Sequence, residues 1–225
     1  MPRPTPLTVL YGGTFDPVHN GHLAVARDAR DTLEAIIRLM PAPDPPHRRA
    51  PGASAQQRAR MLDLAVAGEE GLLVDRREFD RQAPSYSAET LRRLRAELGD
   101  QAPVALLIGS DSLCGLAGWK DWQALFDMAH FVIAERAGNT PAAPLPPQLQ
   151  AFLAGRWVDD PGSLRAAPAG KLFRLGQPLR PESASDIRER IAAGRPWRHL
   201  VPEAVAGYTD RHRLYAGRRS SSAPL

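Results

Sequence analysis

Short apolar segments of strand-like composition alternate along this chain with segments of helical periodicity, and this alternation limits the fold more than any other feature. The strand-like segments are residues 7–11, 35–40, 72–79, 104–108, 131–134 and 171–175. Because several of them are apolar almost throughout, they predict strands of a parallel sheet that helices cover on both faces. We therefore expect an α/β fold with a doubly wound parallel sheet, in a single domain over residues 7–215.

The segments between the strands predict helices with identifiable starts. Asn20 is of the residue type that caps a helix, and Ser54 with Gln57 has the spacing of a capping box. Ser87 is expected to cap a later helix. The predicted helices after Asn20 and Ser87, and two more, cover residues 20–33, 87–98, 119–127 and 183–193.

Two segments stand outside this alternation. Residues 138–170, rich in proline and alanine, are typical of a linker to a second domain or of an extended crossover within one domain. A helical pattern near residues 148–153 favours the crossover. The Ser-rich residues 216–225 are expected to form a disordered tail.

Composition favours a cytoplasmic protein with a phosphate-rich ligand. The apolar runs are far shorter than the roughly 20 residues that a membrane helix needs, and residues 1–10 lack the apolar run of a signal peptide. Cys114 is the only cysteine, so a reducing compartment is expected. The net charge of +4, with a pI near 9.7, fits nucleic acid or a site for several phosphates equally well.

The run GGTFDPVHNGH, residues 12–22, follows the first predicted strand. Its two glycines allow a tight turn and a close approach of a ligand to the backbone. His19 and His22 share one face at the positive end of a helix dipole, where histidine donors suit a polyphosphate. A turn with two surface histidines is the structural alternative, and a zinc site lacks a third ligand. No P-loop and no G-x-G-x-x-G fingerprint is present in the sequence.

This run resembles the signature of the nucleotidylyltransferase superfamily, whose members carry H-x-G-H after the first strand, in the version of the bacterial nicotinate-nucleotide adenylyltransferases. The resemblance implies a Rossmann-like nucleotidylyltransferase fold. It also implies that His19 and His22 contact the phosphates of ATP. The loop residues assigned to ATP in the same way are Gly12, Gly13, Thr14 and Phe15. Asp16 is assigned to the mononucleotide substrate.

The second loop, PAPDPPHRR at residues 41–49, is stiffened by its prolines. It resembles the family's P-P-H-[KR] segment, which implies that His47 and Arg48 reach the mononucleotide. A proline-rich surface loop with a solvated basic tip is the alternative.

The run SYSAETL, residues 85–91, resembles the family's S-Y-T-x-x-T-L, with Ser87 at the threonine position. The resemblance implies that Tyr86 and Ser87 line the pyridine pocket. Chemically, the tyrosine offers a flat ring face and the serine a hydrogen bond. An ordinary N-cap is the alternative role of Ser87, and the two roles are compatible.

The run IGSDSLCGLAGWKDW, residues 108–122, follows the central predicted strand and resembles the family's G-x-D-S-L followed by a tryptophan. Gly109 permits close approach of ATP, and Asp111 can accept hydrogen bonds from ribose hydroxyls or help to hold a metal-bound ligand. We expect Trp119 to stack on the nicotinate ring. Trp122, three residues further along the same predicted helix, is expected to pack in the core.

Arg136 follows the next predicted strand and matches an arginine in the family's R-x-G segment, where it would face the mononucleotide phosphate. Here Ala137 replaces a common proline. A salt-bridged arginine at a strand end is the alternative.

The run SASDIRERI, residues 183–191, predicts an anion site at a helix start, formed by amides, Ser183, Ser185 and Arg188. Ser183 and Asp186 also have the spacing of a capping box, so a purely structural cap is the alternative. The segment resembles the superfamily's second ATP motif, I-S-[SA]-T-x-I-R. Glu182 stands at the isoleucine position, which leaves its role open.

The resemblance covers residues 7–215 and implies transfer of AMP from ATP to nicotinate mononucleotide, which gives nicotinate adenine dinucleotide and pyrophosphate in NAD biosynthesis. His19, His22 and Arg188 are the expected catalytic residues, with Mg²⁺ held by ATP phosphates rather than by protein side chains. The attacking phosphate is already anionic, so catalysis should consist of positioning and electrostatics. Small molecules are the expected partners, without nucleic acid or membrane, and a homo-oligomer is left open.

Other functions are compatible with parts of this pattern. A related transferase could act on phosphopantetheine, on nicotinamide mononucleotide or with CTP. A tRNA synthetase-like domain also carries H-x-G-H, but the chain is short for tRNA recognition and lacks a K-M-S-K-S-like loop. A non-catalytic nucleotide-sensing module is the third alternative, and the presence of both histidines and Arg188 argues against it.

Overall fold

Seven parallel strands form one sheet in the computed structural model, which describes residues 6–43, 52–79, 86–135 and 145–216. In chain order the strands are β1 Leu7–Gly13, β2 Ala35–Pro41, β3 Leu72–Val74, β4 Val104–Gly109, β5 His130–Ala134, β6 Trp157–Val158 and β7 Leu172–Leu175. Their spatial order is β3-β2-β1-β4-β5-β7-β6, and every pairing is parallel. The predicted doubly wound parallel sheet is confirmed.

Helices cover both faces of this sheet. They are α1 Asn20–Leu33, α2 Ala55–Val66, α3 Ser87–Leu98, α4 Ser110–Cys114, α5 Leu125–Met128, α6 Pro147–Leu153, α7 Gly162–Arg165, α8 Ala184–Ala192 and α9 Glu203–Arg211. Short 3₁₀ turns occupy Leu116–Gly118, Trp122–Ala124 and Arg198–Leu200. Among the described helices α1 is the longest, with 14 residues, and none of them has the length and apolar character to cross a membrane.

The core consists of two apolar layers, one on each face of the sheet. Val9 packs in the layer that includes buried side chains of α1, α2, α8 and α9. Leu10 packs in the opposite layer with side chains of α3, α5 and α6. Successive strand residues point to opposite faces, so the near-continuous apolar composition of β1 matches burial on both sides. This is the reason that the sequence of the central strands predicted the fold class.

The strand order reverses between β1 and β4. From β1 the chain builds outward through β2 and β3, and it then returns to the other side of β1 to form β4. In open α/β sheets such a switch point leaves a crevice at the carboxyl ends of the two strands, where ligands bind. The residues after Gly13 and after Gly109 therefore flank the position at which a ligand site is expected.

Two predicted boundaries differ from the structure. The strand predicted over residues 72–79 ends at Val74, because Asp75 accepts hydrogen bonds from the Arg77 backbone N–H and guanidinium, and a turn follows. The proline- and alanine-rich segment contributes a strand that was not predicted, β6, which pairs with β7 at the sheet edge. From residue 145 onward this segment is thus a crossover within the same sheet.

The predicted bounds of α1 and α3 are confirmed, whereas of three predicted cap residues one was right and two were displaced by one residue. Gln57 N–H donates to Ser54 Oγ at 3.3 Å and Ser54 N–H to Gln57 Oε1 at 2.9 Å, so the capping box of α2 is confirmed. Tyr86, and not Ser87, occupies the N-cap position of α3, without a side-chain cap. Likewise Asn20 is the first residue of α1 rather than its cap.

Candidate active site

The loop after β1 folds back under the first turn of α1. Phe15 adopts the left-handed region with φ of 52° and is 1% exposed. Its ring lies edge-on to Tyr11, with centroids 5.6 Å apart, and to His22, with centroids 4.9 Å apart. A Cβ atom at Gly13 would lie 3.0 Å from the Phe15 ring, so a larger residue here would be tightly packed against that ring. Buried Phe15 therefore packs against the His22 ring and limits its movement.

His19 and His22 cap α1 with their own side chains. The backbone N–H of His22 donates to Nδ1 of His19, and the backbone N–H of His19 donates to Nδ1 of His22, each at 3.3 Å. The two rings stack with centroids 3.6 Å apart and planes inclined by 26°. Because each Nδ1 accepts a backbone hydrogen bond, the neutral rings carry their proton on Nε2. The pair thus presents two ring N–H donors at a helix N-terminus, an arrangement suited to phosphate oxygens.

A cavity of about 350 Å³ opens at the carboxyl end of the sheet, beside this histidine pair. Its walls come from four places: the end of β1 with the start of α1, Asp111 in α4, Glu135 after β5, and residues 180–185, which lead into α8. The lining residues that the sequence had predicted for ATP are His19, His22, Asp111, Ser183 and Ser185. The structure therefore brings the two predicted ATP motifs together, although 160 residues separate them in the chain.

The start of α8 differs in detail from its prediction. Ser183 occupies the N-cap position without a side-chain hydrogen bond to the helix, so the predicted capping box with Asp186 is wrong. Asp186 instead pairs with Arg190 at 2.7 Å. Glu182, just before this helix, lines the same cavity, and its Oε2 atom is buried without a hydrogen-bond partner among the described residues.

Arg188 projects from α8 toward the loop after β1. Its Nη1 donates to the backbone oxygen of Asp16 at 2.7 Å, and its Nη2 donates to Ser185 Oγ at 3.1 Å. The guanidinium has five N–H donors, so these two contacts leave capacity for an anion. Arg188 therefore connects the two predicted ATP motifs directly.

Asp16, predicted to contact the mononucleotide, is a buried junction between three segments. Its carboxylate accepts hydrogen bonds from Gly52 N–H at 2.8 Å, Ala53 N–H at 3.1 Å and the Tyr215 hydroxyl at 2.6 Å. Burial, and then the hydrogen bond and charge of Asp16, raise the pKa of Tyr215 far above its ordinary value, so the phenol stays a donor. The predicted substrate contact of Asp16 stays a prediction beside this structural role.

Sequence reasoning missed Arg58, which supports the same loop. Its side chain is fully buried, and it donates to the backbone oxygens of Thr14 at 2.7 Å and Ala53 at 3.3 Å. Arg58 lies three residues before Met61 on the buried face of α2. A charged residue in register with an apolar helix face was the available signal.

The two segments that were predicted to form the ring pocket meet through Lys120. Its Nζ lies 4.7 Å from the centroid of the Tyr86 ring, which is 44% exposed. Trp119 is adjacent and half-buried against the core layer that contains Leu91. Ser87 follows Tyr86 as the first residue of α3.

The helix predicted over residues 119–127 is wrong. Trp119 is extended after one 3₁₀ turn, Asp121 adopts a left-handed conformation with φ of 52°, and Trp122 then starts another turn. The two tryptophans thus do not share a helix. Trp122 does pack as predicted, edge-on to Phe152 with centroids 4.8 Å apart.

Three predicted site residues, His47, Arg48 and Arg136, lie outside the described residues. Of the others, Gly12 and Gly13 end β1, and Thr14 and Phe15 form the following loop. Gly109 ends β4 directly before α4. All of these positions are at the carboxyl edge of the sheet, but none of them is among the residues that line the cavity.

Comparison with known proteins gives consistent relatives. Residues 10–190 match the family described as cytidylyltransferase-like. A protein of Stenotrophomonas maltophilia named "Probable nicotinate-nucleotide adenylyltransferase" is 55% identical over 214 residues, which are 93% of this chain and 96% of that protein. A protein of Chromohalobacter salexigens with the same name is 47% identical and covers 95% of this chain and 97% of its own.

A solved structure shares the fold at low sequence identity. It is the Plasmodium falciparum nicotinic acid mononucleotide adenylyltransferase complexed with NaAD, with a TM-score of 0.68 and 15% identity. The match covers 93% of this chain and 97% of that chain.

Proposed function

We propose that this chain, which belongs to the cytidylyltransferase-like family, transfers AMP from ATP to nicotinate mononucleotide. Within that family it is similar in sequence to proteins named as nicotinate-nucleotide adenylyltransferases. The products are nicotinate adenine dinucleotide, a precursor of NAD, and pyrophosphate. The observation that carries this proposal is the histidine pair, which caps α1 and lines the cavity at the switch point of the sheet.

The reaction needs little acid–base chemistry from the protein. A 5′-phosphate oxygen of the mononucleotide forms a bond to the α-phosphorus of ATP, and the bond from that phosphorus to the oxygen of the leaving pyrophosphate breaks. The nucleophile is already an anion, so the barrier comes from bringing two anions together and from charge that builds on the leaving group. Fixed donors that face this charge lower the barrier most effectively.

The histidine pair fits this requirement. His19 and His22 are held by each other and by Phe15, so their Nε2–H donors need little reorganisation when phosphate oxygens arrive. Arg188 would add a third, charged donor from the second motif. The further residues proposed on the ATP side are Gly12, Gly13, Thr14, Phe15, Gly109, Asp111, Ser183 and Ser185.

Mg²⁺ is proposed to enter as part of the ATP substrate. Among the described residues no group of three His, Cys, Asp or Glu side chains could hold a metal ion. Mg²⁺ commonly relies on substrate phosphates with one or two carboxylates, and Asp111 and Glu135 both line the cavity. When bound, the ion would offset negative charge on the triphosphate.

The mononucleotide side is proposed to use a ring pocket of Tyr86, Ser87 and Trp119, with Arg48 and Arg136 holding the phosphate. Asp16 and His47 are proposed as further contacts of the mononucleotide. Lys120 adds a basis for choosing between ring substituents. Its ammonium is held over Tyr86, next to the proposed stacking residue. A cation at this place would favour the carboxylate of nicotinate over the neutral amide of nicotinamide.

The proposal includes a cytoplasmic location, small-molecule substrates and no nucleic-acid partner.

Release of pyrophosphate tests the proposed function. The purified protein would be supplied with ATP and Mg²⁺ and, separately, with nicotinate mononucleotide, nicotinamide mononucleotide and phosphopantetheine. We expect strong release with the nicotinate form and weaker release with the nicotinamide form. Release with phosphopantetheine alone would reassign the acceptor, and no release with any acceptor would reject catalysis in favour of a nucleotide-sensing role.

A further inference from the structure

Glu182 is a carboxylate in the ATP cavity that the chemistry described so far does not use. It stands directly before the start of α8, at the position where the superfamily motif has isoleucine. One of its oxygens, Oε2, is buried and has no hydrogen-bond partner among the described residues. A buried acceptor without a donor is unfavourable, and more so when it is charged. A donor from a ligand would relieve this cost.

The position of Glu182 relative to the histidine pair limits what that ligand group can be. A Cβ atom at Gly21 would lie 3.3 Å from Glu182 Oε2 and 3.1 Å from Nδ1 of His19. The carboxylate therefore reaches the first turn of α1, beside one of the rings proposed to hold phosphate. The absence of a side chain at Gly21 leaves room for both groups.

The two halves of ATP differ in the hydrogen-bonding groups that they offer to a carboxylate. The triphosphate offers only acceptors and carries negative charge, so contact with a carboxylate would be repulsive. The adenosine half carries donors, namely two ribose hydroxyls and the 6-amino group of adenine. Val25, one turn beyond Gly21 on α1, adds an apolar wall to the same cavity, which suits adenosine better than phosphate.

We propose that Glu182 accepts a hydrogen bond from the adenosine half of ATP and thereby fixes the direction in which ATP enters the cavity. The adenosine lies beside Glu182, and the triphosphate lies toward the Nε2 atoms of the histidine pair and the anion site proposed at the start of α8. Glu182 is then a positioning residue, because its charge attracts one half of the substrate and rejects the other. This proposal rests on the proposed function only in taking ATP as the nucleotide.

Two substitutions test this role. Glu182→Ile removes the acceptor and introduces the residue of the superfamily motif, while Glu182→Gln keeps a neutral acceptor of the same shape. We expect the isoleucine variant to raise the Kd and the KM for ATP by about tenfold to 100-fold, as for loss of a hydrogen bond to a charged group. The glutamine variant should show a smaller increase. The KM for the mononucleotide should stay within about twofold, and Glu189→Gln on the same helix is the matched control.

Nucleotide analogues identify the donor. Wild type and both variants would be titrated calorimetrically with ATP, 2′-deoxy-ATP, 3′-deoxy-ATP and purine riboside triphosphate, which lacks the 6-amino group. The analogue without the contacted donor should bind wild type more weakly than ATP does, and this penalty should vanish in Glu182→Ile. The analogue whose binding penalty disappears in Glu182→Ile shows whether the donor is a ribose hydroxyl or the adenine amine.

Two results would overturn the proposal. Tighter ATP binding in the variants would mean that the carboxylate faces phosphate, and equal analogue penalties in all three proteins would mean that adenosine is not its partner. Circular dichroism melts would establish that the variants are folded. The titrations contain no mononucleotide, so they test Glu182 even if the turnover assay fails and the proposed acceptor is wrong.

Discussion

At the scale of single residues, the most consequential pair is His19 and His22, because each ring serves the fold and the site at once. The sequence placed both histidines on one face of a helix start, which the structure confirms. It could not reveal that the two histidines form the capping box of α1, because N-cap preference points to residues such as Asn20. A histidine Nδ1 accepts the same backbone hydrogen bond when a neighbouring ring holds it in place.

Removing one ring should therefore separate two effects of different size. His22→Ala is expected to lower kcat by about 10²-fold or more, since a donor to developing charge is lost. The free energy of unfolding should fall by only about 0.5–2 kcal/mol, the typical value of a helix cap. Steady-state kinetics and urea unfolding measure the two quantities. His199→Ala, at an exposed position, is the control, and near-normal turnover in His22→Ala would remove the histidine from the catalytic assignment.

Lys120 gives a second prediction at this scale, for ring specificity. Lys120→Gln should lower kcat/KM for nicotinate mononucleotide by about two- to fivefold, a modest factor because the side chain is exposed. The value for nicotinamide mononucleotide should not fall. Arg211→Gln, an exposed charge change on α9, should leave both values unchanged. Equal losses for the two substrates in Lys120→Gln would contradict pairing with the ring carboxylate.

At the scale of elements, the sequence predicted what local patterns determine. The central strands are apolar almost throughout, and Ser54 with Gln57 forms a capping box that needs no distant partner. The two-residue strand β6 was missed, because so short an edge strand exists only through its pairing with β7. The helix predicted over residues 119–127 failed at Asp121, whose left-handed backbone no periodicity signals.

Strand β5 also carries a buried histidine, which we expect to make the stability of the fold depend on pH. His130 Nδ1 accepts the Lys171 N–H at 3.1 Å, and Nε2–H faces the Ala167 oxygen at 2.9 Å, so the neutral ring ties β5 to the crossover before β7. Burial lowers the pKa of His130 below its ordinary value of 6.5. The unfolded chain therefore takes up a proton as pH falls through about 6.5, while the folded protein resists it.

The stability that neutral His130 provides should thus be complete above pH 6.5 and decrease below it. We expect wild type to be more stable than His130→Asn at pH 8, and the difference in unfolding free energy to shrink by up to about 1.4 kcal/mol per pH unit toward pH 5.5. Urea titrations at several pH values measure this difference. Exposed His199→Ala should show no such trend. A difference that grows as pH falls would show that the folded state prefers the charged ring.

At the scale of the whole molecule, the site is assembled by contacts that no sequence window contains. The alternation of strands and helices predicted that loops at the carboxyl edge would meet, and the cavity there is lined by residues of both predicted ATP motifs. It did not predict which side chains would bind each other. Asp16 and Tyr215 are 199 residues apart, and Arg188 is 172 residues from the oxygen that it contacts.

The Tyr215 contact can be tested by deletion of a single oxygen atom. Tyr215→Phe keeps the ring but removes the donor to Asp16, and should reduce the free energy of unfolding by about 1.5–3 kcal/mol, as for a hydrogen bond to a charged group. Turnover should fall as well, because the loop before His19 loses one of its anchors. Tyr208→Phe on α9 is the matched control. Unchanged stability in Tyr215→Phe would mean that the two backbone donors alone hold the Asp16 carboxylate.

The junction at Asp16 also orders events in time. Proteins are synthesised from the N-terminus onward, so both histidines leave the ribosome long before Tyr215 is made. Strand β1 and helix α1 can form early, but the carboxylate beneath them receives its last donor only when synthesis has passed residue 215. The nascent chain therefore cannot complete the Asp16 junction until all seven strands of the sheet, the last of which ends at Leu175, have been synthesised.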